Sequence, residues 1–282
     1  MSRNFERFKP NAVLTDIDST LLNSQRELSL KNTKTIRDYL IKRQENPDLP
    51  RLALCTGRHP ATLINTVLPV FAELDPESLH IVCDGAMLIN SKADVLWQEA
   101  ISAPIVKKIC TDIQSLGAGF GFGSGDVFYC SPLFYKDRQG TELIKYLAID
   151  QIGDDQEWST SLICFNNLNE AAEIYLQGLS KKDLHLSERT LSTFDNKPFY
   201  NLTLTNTSKA KGLQKWADYY GLTAAETIMI GDGFNDVEIM KNSVGIAVAN
   251  AKPEVKEIAK LVLKYSNDQD AVAHVLEQLM NL

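Results

Sequence analysis

Short apolar runs recur along the chain, and each stops at a polar or charged residue. Ala12–Thr15 runs into Asp16, Leu52–Leu54 into Cys55-Thr56-Gly57, and His80–Val82 into Cys83-Asp84-Gly85. Further on, Leu202–Leu204 precedes Thr207-Ser208-Lys209, Ile228–Ile230 runs into Gly231-Asp232, and Val244–Val248 into Ala249-Asn250. Runs this short and this uniformly apolar suit strands buried on both faces. Between them, Leu28–Gln44, His59–Leu74, Ser208–Tyr220 and Pro253–Ala259 carry helical patterns, and Asp270–Met280 closes the chain with another. Strand followed by helix, repeated, predicts an α/β fold with a parallel sheet wrapped by helices. In such sheets ligands bind beyond the carboxyl ends of the strands, which is where the polar residues just named fall.

The middle of the chain has a different texture. Its candidate strands, Val95–Trp97, Val127–Cys130 and Leu162–Phe165, are short and mixed, and helical patterns cover Pro104–Leu116 and Leu168–Leu179. This predicts an α+β domain over 87–197 inserted into a discontinuous core domain formed by 1–86 and 198–282. The glycine-rich stretch Gly117–Gly125 misses the dinucleotide-binding spacing in every register and follows a helix, so it reads as a flexible loop leading into a strand.

Composition narrows the function. The 282 residues carry a formal net charge of −7 with no basic stripe, which argues against a nucleic-acid partner. No run is long enough to span a bilayer, and the polar start has no signal-peptide core, so the expectation is a cytoplasmic protein without a membrane partner. The cysteines Cys55, Cys83, Cys110, Cys130 and Cys164 are scattered and form no C-x-x-C pair. Reduced core thiols fit that pattern better than a zinc site.

Several strand ends carry candidate chemistry. In Asp16-Ile-Asp18-Ser-Thr20, alternate side chains of an extended segment point the same way, so both carboxylates can face one site. Adjacent carboxylates repel unless a cation binds or one takes a proton, which suits a metal-bound nucleophile beside a general acid/base. D-x-D alone equally fits an acidic turn capping a helix. Gly231-Asp232-Gly-Phe-Asn235-Asp236 brings two more carboxylates into a tight turn, and hard oxygen donors at this density favour Mg²⁺. In Thr56-Gly57-Arg58, a hydroxyl, a backbone N–H and a following helix start can hold a phosphate. Lys209, opening a helix, can neutralise a phosphoryl oxygen and the nucleophile.

The order D-x-D-x-T, T-G-R, S-K, G-D-G-x-N-D, each at a strand end, is more specific than any of its parts. In this order the sequence resembles the haloacid dehalogenase superfamily and, within it, the Cof-like phosphatases. The first motif corresponds to Val13–Leu22, the second to Thr56-Gly57-Arg58, the third to Ser208-Lys209 and the fourth to Ile230–Met240, with Val244–Ala251 extending the match. The resemblance implies a Rossmann-like core with an inserted α+β cap between the second and third motifs. It implies a Mg²⁺-dependent phosphatase that hydrolyses small phosphate monoesters, sugar phosphates or a phosphorylated cofactor, through an aspartyl-phosphate.

By that resemblance Asp16 is the nucleophile and Asp18 the general acid/base. Mg²⁺ is held by Asp16, Asp232 and the backbone carbonyl of Asp18, with Asp236 supporting. Thr56, Gly57, Lys209 and Asn235 contact the phosphoryl group or hold its neighbours, and Arg58 reaches substrate or cap. Lys209, not Lys211, keeps the family-like distance to Gly221 and Asp232. The alternatives are a phosphotransferase or phosphosugar mutase, and a catalytically silent phosphometabolite-binding protein. Ser19, Ala210 and Ala271 stand where the family commonly has glycine, and Asp84 where it commonly has asparagine. Of these, Asp84 bears most on substrate preference, because a carboxylate repels phosphate.

Overall fold

The computed structural model describes residues 8–125, 127–135, 144–180, 183–187, 190–191 and 198–281. The chain divides into two compact units, one of Met1–Arg58, Leu63–Trp97 and Ser208–Leu282, the other of His59–Thr62 and Gln98–Thr207.

The first unit is built on a sheet in the order Leu261–Val262, Val244–Ala247, Thr227–Gly231, Ala12–Thr15, Arg51–Leu54. Every pairing in it is parallel. Ala12–Thr15 lies between Thr227–Gly231 and Arg51–Leu54 and is buried throughout, as its apolar run requires. The register sets Thr15 level with both Ile230 and Leu54. Asp16, Gly231 and Cys55 therefore lie level at the carboxyl end of the sheet, and Asp16 N–H donates to the Ile230 carbonyl at 2.8 Å. Leu79–Val82 joins this edge through a parallel bridge between Cys55 and Ile81, then pairs antiparallel with Met87–Asn90. Val95–Gln98 completes that smaller three-stranded sheet.

Helices cover the parallel sheet. Leu30–Glu45 is capped by Ser29, which accepts from Asn32 N–H. Lys209–Tyr220 is capped by Ser208 and stopped by Gly221 in a left-handed conformation at φ 66°. Trp216 of this helix is fully buried and donates its indole N–H to the Leu79 carbonyl at 2.7 Å. The single helix expected over His59–Leu74 is instead a 3₁₀ turn at Pro60–Thr62 and a short helix at Leu68–Ala72. Pro60 suits the first turn of a helix, but Pro69 would fall in its interior, where the missing donor and the clash of its ring with the preceding turn break it.

The second unit has its own sheet, in the order Leu184–Leu186, Pro198–Leu204, Ile163–Asn166, Gly119–Ser124, Val127–Cys130, Ile144–Tyr146. Helices Ala103–Ser115 and Glu170–Leu179 contribute Val106, Ile109, Ile113, Ala172 and Leu176 to a core shared with Phe120, Phe122 and Phe165 of the sheet. Two sequence readings change here. The run Leu202–Leu204 is a strand, but it pairs antiparallel within this sheet and does not join the parallel one. The glycine-rich segment is also strand, not loop. A Cβ on Gly121 would lie 2.6 Å from the Phe128 ring, and one on Gly123 would lie 2.0 Å from the His59 ring. Glycine alternates with buried phenylalanine there because one face of the strand is pressed against aromatic rings.

All five cysteines are buried and none is in a disulfide. No helix among the described residues is long and apolar enough to cross a membrane.

Candidate active site

The site residues named from sequence all belong to the first unit. Asp16 follows the strand Ala12–Thr15 and is nearly buried, at 6% exposure. Lys209, at the start of its helix, extends its ammonium between two carboxylates, 2.8 Å from Asp16 Oδ1 and 2.7 Å from Asp236 Oδ1. Asp232 completes the cluster: one carboxylate oxygen from each of Asp16, Asp232 and Asp236 lies within 4.8 Å of the others. Lys211, by contrast, is exposed, and its N–H donates to the capping Ser208.

Asp236 uses both of its oxygens. Oδ1 accepts from Lys209, and Oδ2 accepts from the N–H groups of Asp232 and Gly233 at 3.0 Å each. Gly231 allows this, since a Cβ there would sit 2.3 Å from Asp236 Oδ2. Asp232 is held from the other side by the buried Thr20 hydroxyl, which donates to Oδ1 at 2.9 Å. Asp18 is half-buried and forms a two-pronged ion pair with Arg58, at 2.8 Å from Nε and 2.6 Å from NH2. Thr56 is buried, and its hydroxyl accepts from Arg58 N–H at 3.2 Å. Asn235 donates its amide to Asp84 Oδ1 at 2.9 Å.

The electrostatics follow from burial and charge. Burial raises Asp16 well above the ordinary carboxylate range, and Asp236 and Asp232 add to this against the opposing pull of Lys209. Burial and the Asp236 charge raise Asp232 to about 7. For Lys209, burial alone would favour the neutral amine, but the charges of Asp16 and Asp236 outweigh it and hold the ammonium. Burial would also raise Asp18, yet the hydrogen bonds and charge of Arg58 leave it lowered. The buried carboxylates thus exceed the cation among them. That surplus, in hard oxygen donors from Asp16, Asp232 and Asp236 lying within 4.8 Å of one another, is a group that could hold a metal ion.

Two contacts had no role in the sequence reading. Thr20 orients Asp232 from 212 residues away, and Asn250 donates to the Ser19 carbonyl at 2.7 Å while its own Oδ1 accepts from Asn267 N–H at 2.9 Å. Ser19 sits at φ 57°, a left-handed conformation, and Asn250 ties down the loop that contains it. Thr20 carried a signal, being a polar residue next to an acidic pair. Asn250 stood at the end of the Val244–Val248 run, but its partners Ser19 and Asn267 could not be read from the sequence.

The family model for haloacid dehalogenase-like hydrolases matches residues 13–276. The chain belongs to this family. Within it the chain is a Cof-like phosphatase. Phosphatase YwpJ of Bacillus subtilis is 23% identical over 295 aligned positions, covering 95% of this chain and 99% of its own. A chloroplastic protein of Arabidopsis thaliana named endoribonuclease YBEY is 38% identical over 291 positions, covering 95% of this chain but 47% of that longer one. Among solved structures, a haloacid dehalogenase-like hydrolase from Bacteroides thetaiotaomicron superposes with a TM-score of 0.78 at 20% identity, covering 96% of this chain and 100% of its own. That likeness confirms the haloacid dehalogenase fold.

Proposed function

We propose that the chain is a Mg²⁺-dependent phosphatase that hydrolyses small phosphate monoesters, sugar phosphates or a phosphorylated cofactor, in two displacements at Asp16. One observation carries this reading. The Lys209 ammonium bridges Asp16 and Asp236, with Asp232 in the same cluster, at the carboxyl end of the parallel sheet. A carboxylate so placed is aimed and charge-compensated, as a nucleophile toward a phosphate dianion must be.

A free oxygen of Asp16 attacks phosphorus, and the bond to the ester oxygen breaks. The leaving oxygen takes a proton from Asp18. Water then gives a proton back to Asp18 and attacks the aspartyl-phosphate, releasing phosphate and restoring Asp16. Lys209 stays beside Asp16 throughout and offsets charge on the equatorial oxygens. A bound Mg²⁺ would add Lewis-acid stabilisation there, held by Asp16, Asp232 and the Asp18 carbonyl. Asp236, with both oxygens committed to hydrogen bonds, supports this arrangement from behind. Thr56, Gly57 and Asn235 hold the phosphoryl end. The Arg58 pair keeps Asp18 ionised, the form that accepts a proton from water, so Arg58 must move off Asp18 before that residue can act as an acid.

The test is Asp16→Asn in purified protein, assayed with p-nitrophenyl phosphate and Mg²⁺. Turnover is expected to fall at least about 10³-fold with the fold intact by circular dichroism. Full activity in that variant would remove Asp16 from the nucleophile role.

A further inference from the structure

Asp84 is the acidic residue at this site that the proposed mechanism does not use. Its position is closely constrained. Cys83, Asp84 and Gly85 adopt φ of 52°, 51° and 90° in succession. The turn is pinned to the Thr56–Arg58 loop by two backbone hydrogen bonds, Asp84 N–H to the Thr56 carbonyl at 3.1 Å and Cys83 N–H to the Arg58 carbonyl at 3.0 Å. On its other side Gly85 packs so closely on Ser208, just ahead of Lys209, that a Cβ would lie 1.9 Å from the Ser208 carbonyl oxygen. The turn is therefore wedged between the loops that deliver Gly57 and Lys209, and it has little room to move.

The carboxylate it presents is equally well placed. Asp84 Oδ1 accepts from the Asn235 amide at 2.9 Å and would be 2.8 Å from a Cβ on Gly57. Asp84 thus touches two of the groups assigned to the phosphoryl end. A carboxylate held there raises the free energy of any phosphate dianion that binds. The Lys209 ammonium offsets part of this charge, but its short contacts are with Asp16 and Asp236, so removing the Asp84 carboxylate still changes the potential at the phosphoryl end.

We propose that Asp84 is a specificity-determining residue that keeps the site weak for free inorganic phosphate, so that the product leaves. The inference rests on the phosphatase reading above. The ester substrate has contacts beyond its phosphoryl group to offset the repulsion; inorganic phosphate has none. Asp84 also fixes the Asn235 amide with its nitrogen donating to the carboxylate oxygen.

Two neutral variants test this, Asp84→Asn and Asp84→Ser, each measured for competitive inhibition of p-nitrophenyl phosphate hydrolysis by inorganic phosphate at saturating Mg²⁺. Asparagine suits the left-handed backbone of this position, and serine removes the charge without an amide. In both, the phosphate inhibition constant is expected to fall about tenfold, the effect of one charge acting across a partly solvated site. The tightening should shrink as salt is raised. An inhibition constant that is unchanged or higher in either variant, with the wild type active, overturns the role of Asp84 and leaves the phosphatase reading standing. A wild type that neither hydrolyses the ester nor responds to phosphate overturns both.

Discussion

Replacing Lys209 with methionine tests the centre of the site most directly. The change keeps the length of the side chain and removes its charge. Lys209 and Asp236 have fully buried side chains and that of Asp16 is 9% exposed, with contacts of 2.8 and 2.7 Å. At such separations and an effective dielectric near 20, each ion pair carries about 6 kcal/mol of Coulomb attraction, much of it offset by desolvation. Deleting one partner leaves the carboxylates buried and uncompensated, which costs about 3–5 kcal/mol. The protein can escape part of that cost by protonating Asp16, so the loss depends on pH, growing by up to about 1.4 kcal/mol per unit as pH rises. We expect Lys209→Met in EDTA to be much less stable than wild type at pH 8 and close to it at pH 5, with Mg²⁺ restoring part of the difference at pH 8. The assay is urea unfolding followed by tryptophan fluorescence, to which the buried Trp216 of the same helix contributes. A loss below about 1 kcal/mol at pH 8, or one independent of pH, would show that the ammonium does not compensate these carboxylates.

Other expectations follow from neighbouring features. Asp232 must be ionised to bind a cation, and its pKa of about 7 puts protons in competition below that pH. Apparent Mg²⁺ affinity should then fall about tenfold per pH unit below 7, seen by calorimetric titration at pH 6 and 8, and equal affinities would contradict the assignment. Gly231→Ala should push Asp236 off its two backbone donors and weaken Mg²⁺ binding about 10–100-fold, measured in the same titration. His80 is buried and neutral, accepting from Leu54 N–H at 3.1 Å and paired with Ser91, and burial takes its pKa from 6.5 down to about 3. The unfolded chain binds a proton there that the folded one refuses, so stability is complete above pH 6.5 and is lost as pH falls from 6.5 toward 3. The loss reaches about 4–5 kcal/mol, and His80→Gln should flatten that part of the acid-unfolding curve.

The parallel sheet could be read in advance because strands buried on both faces must be apolar along their whole length. Ala12–Thr15 and Thr227–Gly231 show this directly. The carboxylates were legible for a related reason: charged residues immediately after such runs can only emerge at a sheet edge. Where pattern is shared between environments, sequence was ambiguous. Leu202–Leu204 is as apolar as a core strand, and only its antiparallel pairing with Ile163–Asn166 assigns it to the other sheet. The alternation of glycine and phenylalanine from Gly119 to Ser124 looked like loop because what crowds the glycines, the Asn166 side chain at Gly119 and the Phe128 and His59 rings at Gly121 and Gly123, reaches them through space. Local spacing likewise placed Lys209 at a helix start but could not say what it touches. That depends on the register that levels Thr15 with Ile230, bringing positions more than 190 residues apart within hydrogen-bonding distance. Composition and periodicity act along the chain, whereas ion pairs, close approach and burial act through space, and the chemistry of this site belongs to the second kind.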